Sequence, residues 1–176
     1  MRTRRPVQGL ILAALAVFPL YPLQAAPAGT DDLKTVVAAM AKIGRSFSPS
    51  FAPDGQTLAF VSSLSGSPQL WTIPVAGGFP MQLTAFDDPT GQADWSPTGE
   101  WIAFILLPSG GLNTQIYLIR PDGTGTRRIT DGGQDNNFHA GWTDDGTAVR
   151  LTSNRRDPAV TDPYLYTVGA GTLRLL

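Results

Sequence analysis

The sequence has no cysteine and a single histidine, His139. The first absence excludes disulfide staples, cysteine-ligated zinc, iron–sulfur clusters and thiol catalysis; the second excludes the usual imidazole-rich metal sites. A basic excess is also lacking. Thirteen Lys and Arg against 14 Asp and Glu leave a net charge of −1, so no general field recruits nucleic acid. Long helices are disfavoured by punctuation: 19 glycines and 15 prolines in 176 residues point instead to short strands joined by tight turns. Hydrophobic residues still make up 42% of the chain, enough for a packed core in one domain of ordinary size.

The longest apolar run lies at the start. Arg2, Arg4 and Arg5 precede a nearly all-apolar stretch from Gly9 to Leu20, and Ala26-Pro27-Ala28 supplies a small-residue cleavage site, with cleavage after Ala25 as a second option. This pattern reads as a secretory signal peptide over residues 1–28. Pro19 and Pro22 break the run short of the ~18 residues a membrane span needs, so no membrane attachment is expected after cleavage. Arg4-Arg5 could suggest twin-arginine export, but Pro6-Val7-Gln8 does not strengthen it. The mature chain would carry ten basic and 14 acidic residues, a net of −4, as befits a mildly acidic periplasmic or secreted protein. Residues 29–46 form a helical lead-in. Leu33, Val36, Val37, Met40 and Ile43 recur at helical spacing, Gly44 closes the pattern, and the expected role is packing against the first of three repeats.

From Ser48 to the end the chain is one unit written three times. Ser48-Pro49-Ser50-Phe51-Ala52-Pro53-Asp54-Gly55 opens the first copy, Gln92-Ala93-Asp94-Trp95-Ser96-Pro97-Thr98-Gly99 the second, and His139-Ala140-Gly141-Trp142-Thr143-Asp144-Asp145-Gly146 the third. Each places an aromatic at the end of a strand, then a turn in which Pro53 or Pro97 presets φ and the glycine takes the left-handed conformation. A second strand comes next at constant offset: 58–61, 102–105 and 149–152. The first two are continuous apolar runs, so both faces of each are expected to be buried. Ala59 and Ala103 suggest close sheet contact, and Arg150 predicts a solvated or ion-paired face in the third copy. Third strands are expected over 69–73, 115–119 and 164–168, and outer strands over 81–84, 127–130 and 173–176. Four strands per repeat of this length predict an all-β fold, a partial β-propeller of about three four-stranded antiparallel blades over residues 47–176, with blades near 47–86, 91–132 and 137–176.

The run aromatic-Ser-Pro-x-Gly, apolar strand, Leu/Ile-Tyr/Trp and Leu/Ile-Thr resembles the WD-like repeat of the TolB propeller, also found in the propellers of prolyl oligopeptidase and dipeptidyl peptidase IV relatives. The resemblance spans Ser48 to Leu176. Ser153-Asn154-Arg155-Arg156 looks like the polar turn those repeats place after the second strand, and Ser63-Leu64-Ser65-Gly66 matches it more weakly. The stretch Asn113 to Gly123 is similar to propellers of secreted prolyl-oligopeptidase-type enzymes. By resemblance the chain is the non-catalytic propeller portion of an exported serine peptidase of that type, a fragment that gates substrate or binds peptide. The alternative is a TolB-like periplasmic protein-binding or scaffold module. In the peptidase family a separate α/β-hydrolase domain carries the catalytic serine; no G-x-S-x-G elbow occurs here, so no catalytic residue is assigned.

Other candidates are weak. His139 is the one imidazole base, with Asp135 or Asp144 as orienter, yet its place at the start of a first strand favours a structural or surface role. Asp87, Asp88, Asp131 and Asp135 fit no calcium-loop spacing and read as turn formers. Arg127-Arg128 could grip a carboxylate, as could Arg155-Arg156 on an expected long loop from Arg155 to Pro163, but short basic pairs are usually surface charge. Trp71, Trp95, Trp101 and Trp142 are expected in core packing. No cofactor and no metal site is assigned. The expected partners are a peptide or protein ligand, and missing blades or a hydrolase domain, in the same or another chain, that would complete a ring of at least about four blades. Three blades alone are expected to be poorly soluble or oligomeric.

Overall fold

The computed structural model describes residues 34–35 and 44–176. Lys34 and Thr35 are helical; the expected signal peptide and most of the lead-in helix lie outside the described residues. From Ser46 onward twelve strands form three four-stranded antiparallel sheets. Blade 1 comprises β1 (Ser46–Phe51), β2 (Thr57–Ser62), β3 (Gln69–Pro74) and β4 (Met81–Gln82). Blade 2 comprises β5 (Thr90–Trp95), β6 (Ile102–Leu106), β7 (Gln115–Ile119) and β8 (Arg127–Arg128). Blade 3 comprises β9 (Asn137–Trp142), β10 (Ala148–Asp157), β11 (Val160–Thr167) and β12 (Thr172–Leu175). In every sheet the strands lie side by side in chain order.

The repeated turn works as its residues dictate. Gly55, Gly99 and Gly146 have φ of 68°, 76° and 67°, the left-handed region that costs glycine nothing. Their amides donate to Ala52, Ser96 and Thr143 carbonyls at 2.8, 3.0 and 2.8 Å, closing each first hairpin. Two further signals act together at the far edge. Thr84 Oγ1 accepts from Leu70 N–H and donates to Gln69 Oε1, which also accepts from Phe86 N–H. In blade 2, Thr130, Ile116, Gln115 and Gly132 N–H repeat that lock. The buried glutamine thus satisfies the backbone where the chain leaves one blade for the next. Beyond Gln82 and Arg128 the N–H of Leu83 and Ile129 still donates to the Leu70 and Ile116 carbonyls, and the threonine hydroxyl takes the amides of those same two residues.

In blades 2 and 3 the aromatic at the turn faces the preceding blade. Trp95, Ile102, Phe104 and Ile119 meet Ala59, Val61 and Leu70 of blade 1; Trp142, Val149, Leu151, Tyr164 and Tyr166 meet Ala103, Ile116 and Leu118 of blade 2. Small residues opposite large ones let the sheets approach closely. Phe86, on the crossover, closes the first core against Phe104 and Tyr117, whose rings stack 5.4 Å apart.

Three expectations need correction. β6 is buried on both faces, but in β2 Leu58 and Phe60 are only half-buried, because no described blade lies on that side. Ser153–Arg156 is strand rather than turn: β10 and β11 extend as one hairpin turning at Pro158-Ala159, so the expected loop from Arg155 to Pro163 is mostly paired. Pairing of Val149 with Tyr166, as Ile102 pairs with Ile119, also sets the third copy's third strand two residues earlier than expected. Asp162 then stands where Gln69 and Gln115 stand, and it binds Arg156 instead of a crossover.

Candidate functional site

The two joints between blades place chemistry at equivalent positions, and they differ. At the first, Ser48 and Ser50 of β1 accept from Ala93 and Trp95 N–H at 3.0 and 2.9 Å. At the second, Asp94 holds β9: its carboxylate lies 2.7 Å from His139 Nε2, and its carbonyl accepts from Trp142 Nε1 at 3.2 Å. The His139 side chain is buried and its Nδ1 has no partner among the described residues. The expected orienters are therefore replaced. Asp135 gives its carbonyl to Gln115 and Asn137, and Asp144 lies exposed near Arg150. Among the described residues no hydroxyl is bonded to the ring, and the pair clamps one strand to the next.

Between the turns of blades 1 and 2 lies a cleft of about 690 Å³. Its lining includes Asp54, Thr57, Phe79, Met81, Trp95 and Pro121. Trp95 is buried and its Nε1 has no acceptor among the described residues; Phe79 is 96% exposed. The corresponding space at the second joint is smaller, about 490 Å³, because the chain fills it. Trp101 stands where Thr57 stands, with Arg120 and Arg127 at 4.7 and 4.5 Å from its ring.

Asp87 is exposed; the other charged candidates make structural contacts. Asp88 accepts from Ser109 N–H. Asp131 pairs with Arg155, whose guanidinium also lies over Tyr164. Arg156 grips Asp162 with two bonds and holds its carboxyl below the usual carboxylate range. Arg127 donates to Val168 O, and Arg128 donates to Thr130 and Asp131 carbonyls. Arg150 does sit on a solvated face, donating to Trp142 O and facing Asp144. Trp95, Trp101 and Trp142 are core, whereas Trp71 is half-buried on the outer face of blade 1. Among the described residues no three His, Cys, Asp or Glu groups are placed to hold a metal ion, and no helix is long and apolar enough to cross a membrane. Sequence reasoning missed the cleft. Its only trace was the replacement of Trp101 and Arg127 by Thr57 and Met81 at matching offsets.

Sheets stacked in this order, each entered through the same turn, define consecutive blades of a β-propeller. The TolB beta propeller domain matches residues 46–172, and the chain belongs to that family. A protein TolB homolog of Chlorobium luteolum is 37% identical over 129 residues, 72% of this chain and 27% of its own length. The crystal structure of TolB from Acinetobacter baumannii is 26% identical with a TM-score of 0.61, covering 75% of this chain and 32% of that one. A prolyl endopeptidase structure superposes with a TM-score of 0.58 at 12% identity, over 72% of this chain and 21% of that one, a likeness of fold alone. The chain spans about a quarter of the length of the curated TolB homolog.

Proposed function

We propose that this chain supplies blades of a TolB-like exported propeller whose work is to bind a protein partner, as a binding or scaffold module of the periplasm. The observation that carries the reading is the cleft at the first joint. Its wall is built by Phe79 and Met81, which the fold leaves 96% and 53% exposed, and exposed apolar side chains beside a concave surface mark contact sites. Relatives named TolB at up to 37% identity support the same reading. The signal-like run of Arg2, Arg4, Arg5 and residues 9–20 supports export. The peptidase reading, in which the blades gate a hydrolase domain, draws support only from likeness of fold, and fold does not carry chemistry. A photo-crosslinking amino acid in place of Phe79, in the full chain expressed in its own cell envelope, tests the proposal. A discrete protein adduct is expected; smearing, or no adduct at all, would count against it.

A further inference from the structure

We infer that the cleft between the first two blades is a site for an arginine side chain presented by the partner polypeptide; this rests on the protein-binding reading and names its contact. The molecule displays the interaction at its own second joint. There the Arg127 guanidinium lies over Trp101 and donates to Val168 O at 3.1 Å. Strand register makes Met81 the counterpart of Arg127, since each pairs with the residue opposite the small alanine of its blade, Thr72 opposite Ala59 and Leu118 opposite Ala103. The same register sets Pro74 against Arg120, Thr57 against Trp101 and Pro121 against Val168. The first joint therefore keeps the carbonyl position and lacks both cations.

The acids also sit in different places: Asp54 lines the first cleft where the second joint has Thr98, and Glu100 lines the second where blade 1 has Gln56. Asp54 Oδ1 accepts only from Gln56 N–H, at 2.9 Å, and its carboxylate makes no ion pair among the described residues. A cation is the complementary charge, and a planar guanidinium suits the rest: a fork for the carboxylate, a flat face for Phe79 and an aliphatic stem for Met81.

The test is an NMR titration of the full chain with the capped tripeptide acetyl-Gly-Arg-Gly-amide. Saturable shifts of the Trp95 indole and Gly99 amide are expected, with a dissociation constant on the order of 1 mM. Asp54→Asn keeps an oxygen for Gln56 N–H but removes the charge, and should weaken binding about tenfold. Met81→Arg should fill the cleft and abolish the shifts. The citrulline tripeptide, of equal shape without charge, should not saturate. Equal response to citrulline, indifference to Asp54→Asn, or no saturable shift would overturn the inference. If the titration fails while Phe79 still crosslinks to a partner, the arginine assignment falls and protein binding stands. If it saturates where no adduct forms, the arginine site stands and the protein-partner reading falls.

Discussion

The two joints of this molecule use the same strands in the same register and are held by different chemistry. The first relies on backbone N–H bonds to serine hydroxyls and on an aliphatic and aromatic core, and it leaves a cleft. The second relies on the Asp94–His139 pair, and an arginine–tryptophan–arginine stack narrows the equivalent space. A repeat therefore fixes the backbone path and the apolar faces, while side chains at the joint remain free to vary. The outer faces make the same point: Phe51 is 61% exposed where its counterparts Trp95 and Trp142 are 8% and 7% exposed.

Breaking a joint core should have the largest effect. Phe104→Ala removes a ring that is 1% exposed and should cost about 3–5 kcal/mol in urea unfolding. Its counterpart Phe60→Ala, half-buried on the outer face, should cost about 1 kcal/mol. Similar losses for both would mean that blade 1 is covered on that side too.

Next come the polar clamps. Asp94→Ala leaves His139 buried without its carboxylate and should cost about 1.5–3 kcal/mol, whereas Ser50→Ala at the first joint should cost about 1 kcal/mol. Turn glycines give a finer contrast. Alanine at either Gly55 or Gly146 meets left-handed strain of about 1–2 kcal/mol. At Gly146 the new Cβ would also lie 2.8 Å from Thr98 Cγ2, whereas at Gly55 it meets open space. Gly146→Ala should therefore be the more destabilising, and thermal melting of the two variants checks the order.

The smallest effect concerns acid. Bonds from the Thr143 hydroxyl and Thr147 N–H hold the Asp145 carboxyl below its ordinary range. The ionised form is favoured in the fold, so its contribution is complete at neutral pH and fades as pH falls through the lowered value. The stability gap between the wild type and Asp145→Asn should stay constant above about pH 5 and narrow below about pH 4.

Much of the fold is legible in the sequence because turn chemistry and apolar runs are local. Pro53-Asp54-Gly55 and its counterparts locate the hairpins, and Ile102-Ala103-Phe104-Ile105 announces a strand covered on both sides. The joints are not legible, because they depend on partners about 45 residues away. Nothing near His139 in the chain points to Asp94, and Gln69 and Gln115 show no sign of holding a crossover 17 residues on. The two-residue offset of the third copy escapes the sequence for a related reason. Asp162 replaces the glutamine that marks the strand, and a β-hairpin of polar residues looks like a loop until its pairing is known. The cleft is hidden in the same way, since an opening is made by what two blades omit.

Most directly, the photo-crosslinking residue can be placed at Phe79 in the first joint and, separately, at Glu100 in the second, in the full chain within its own cell envelope. The account predicts a discrete partner adduct from position 79 and none from position 100, where Trp101 and Arg127 occupy part of a smaller space. Equal adducts at both positions, or an adduct from position 100 alone, would contradict it.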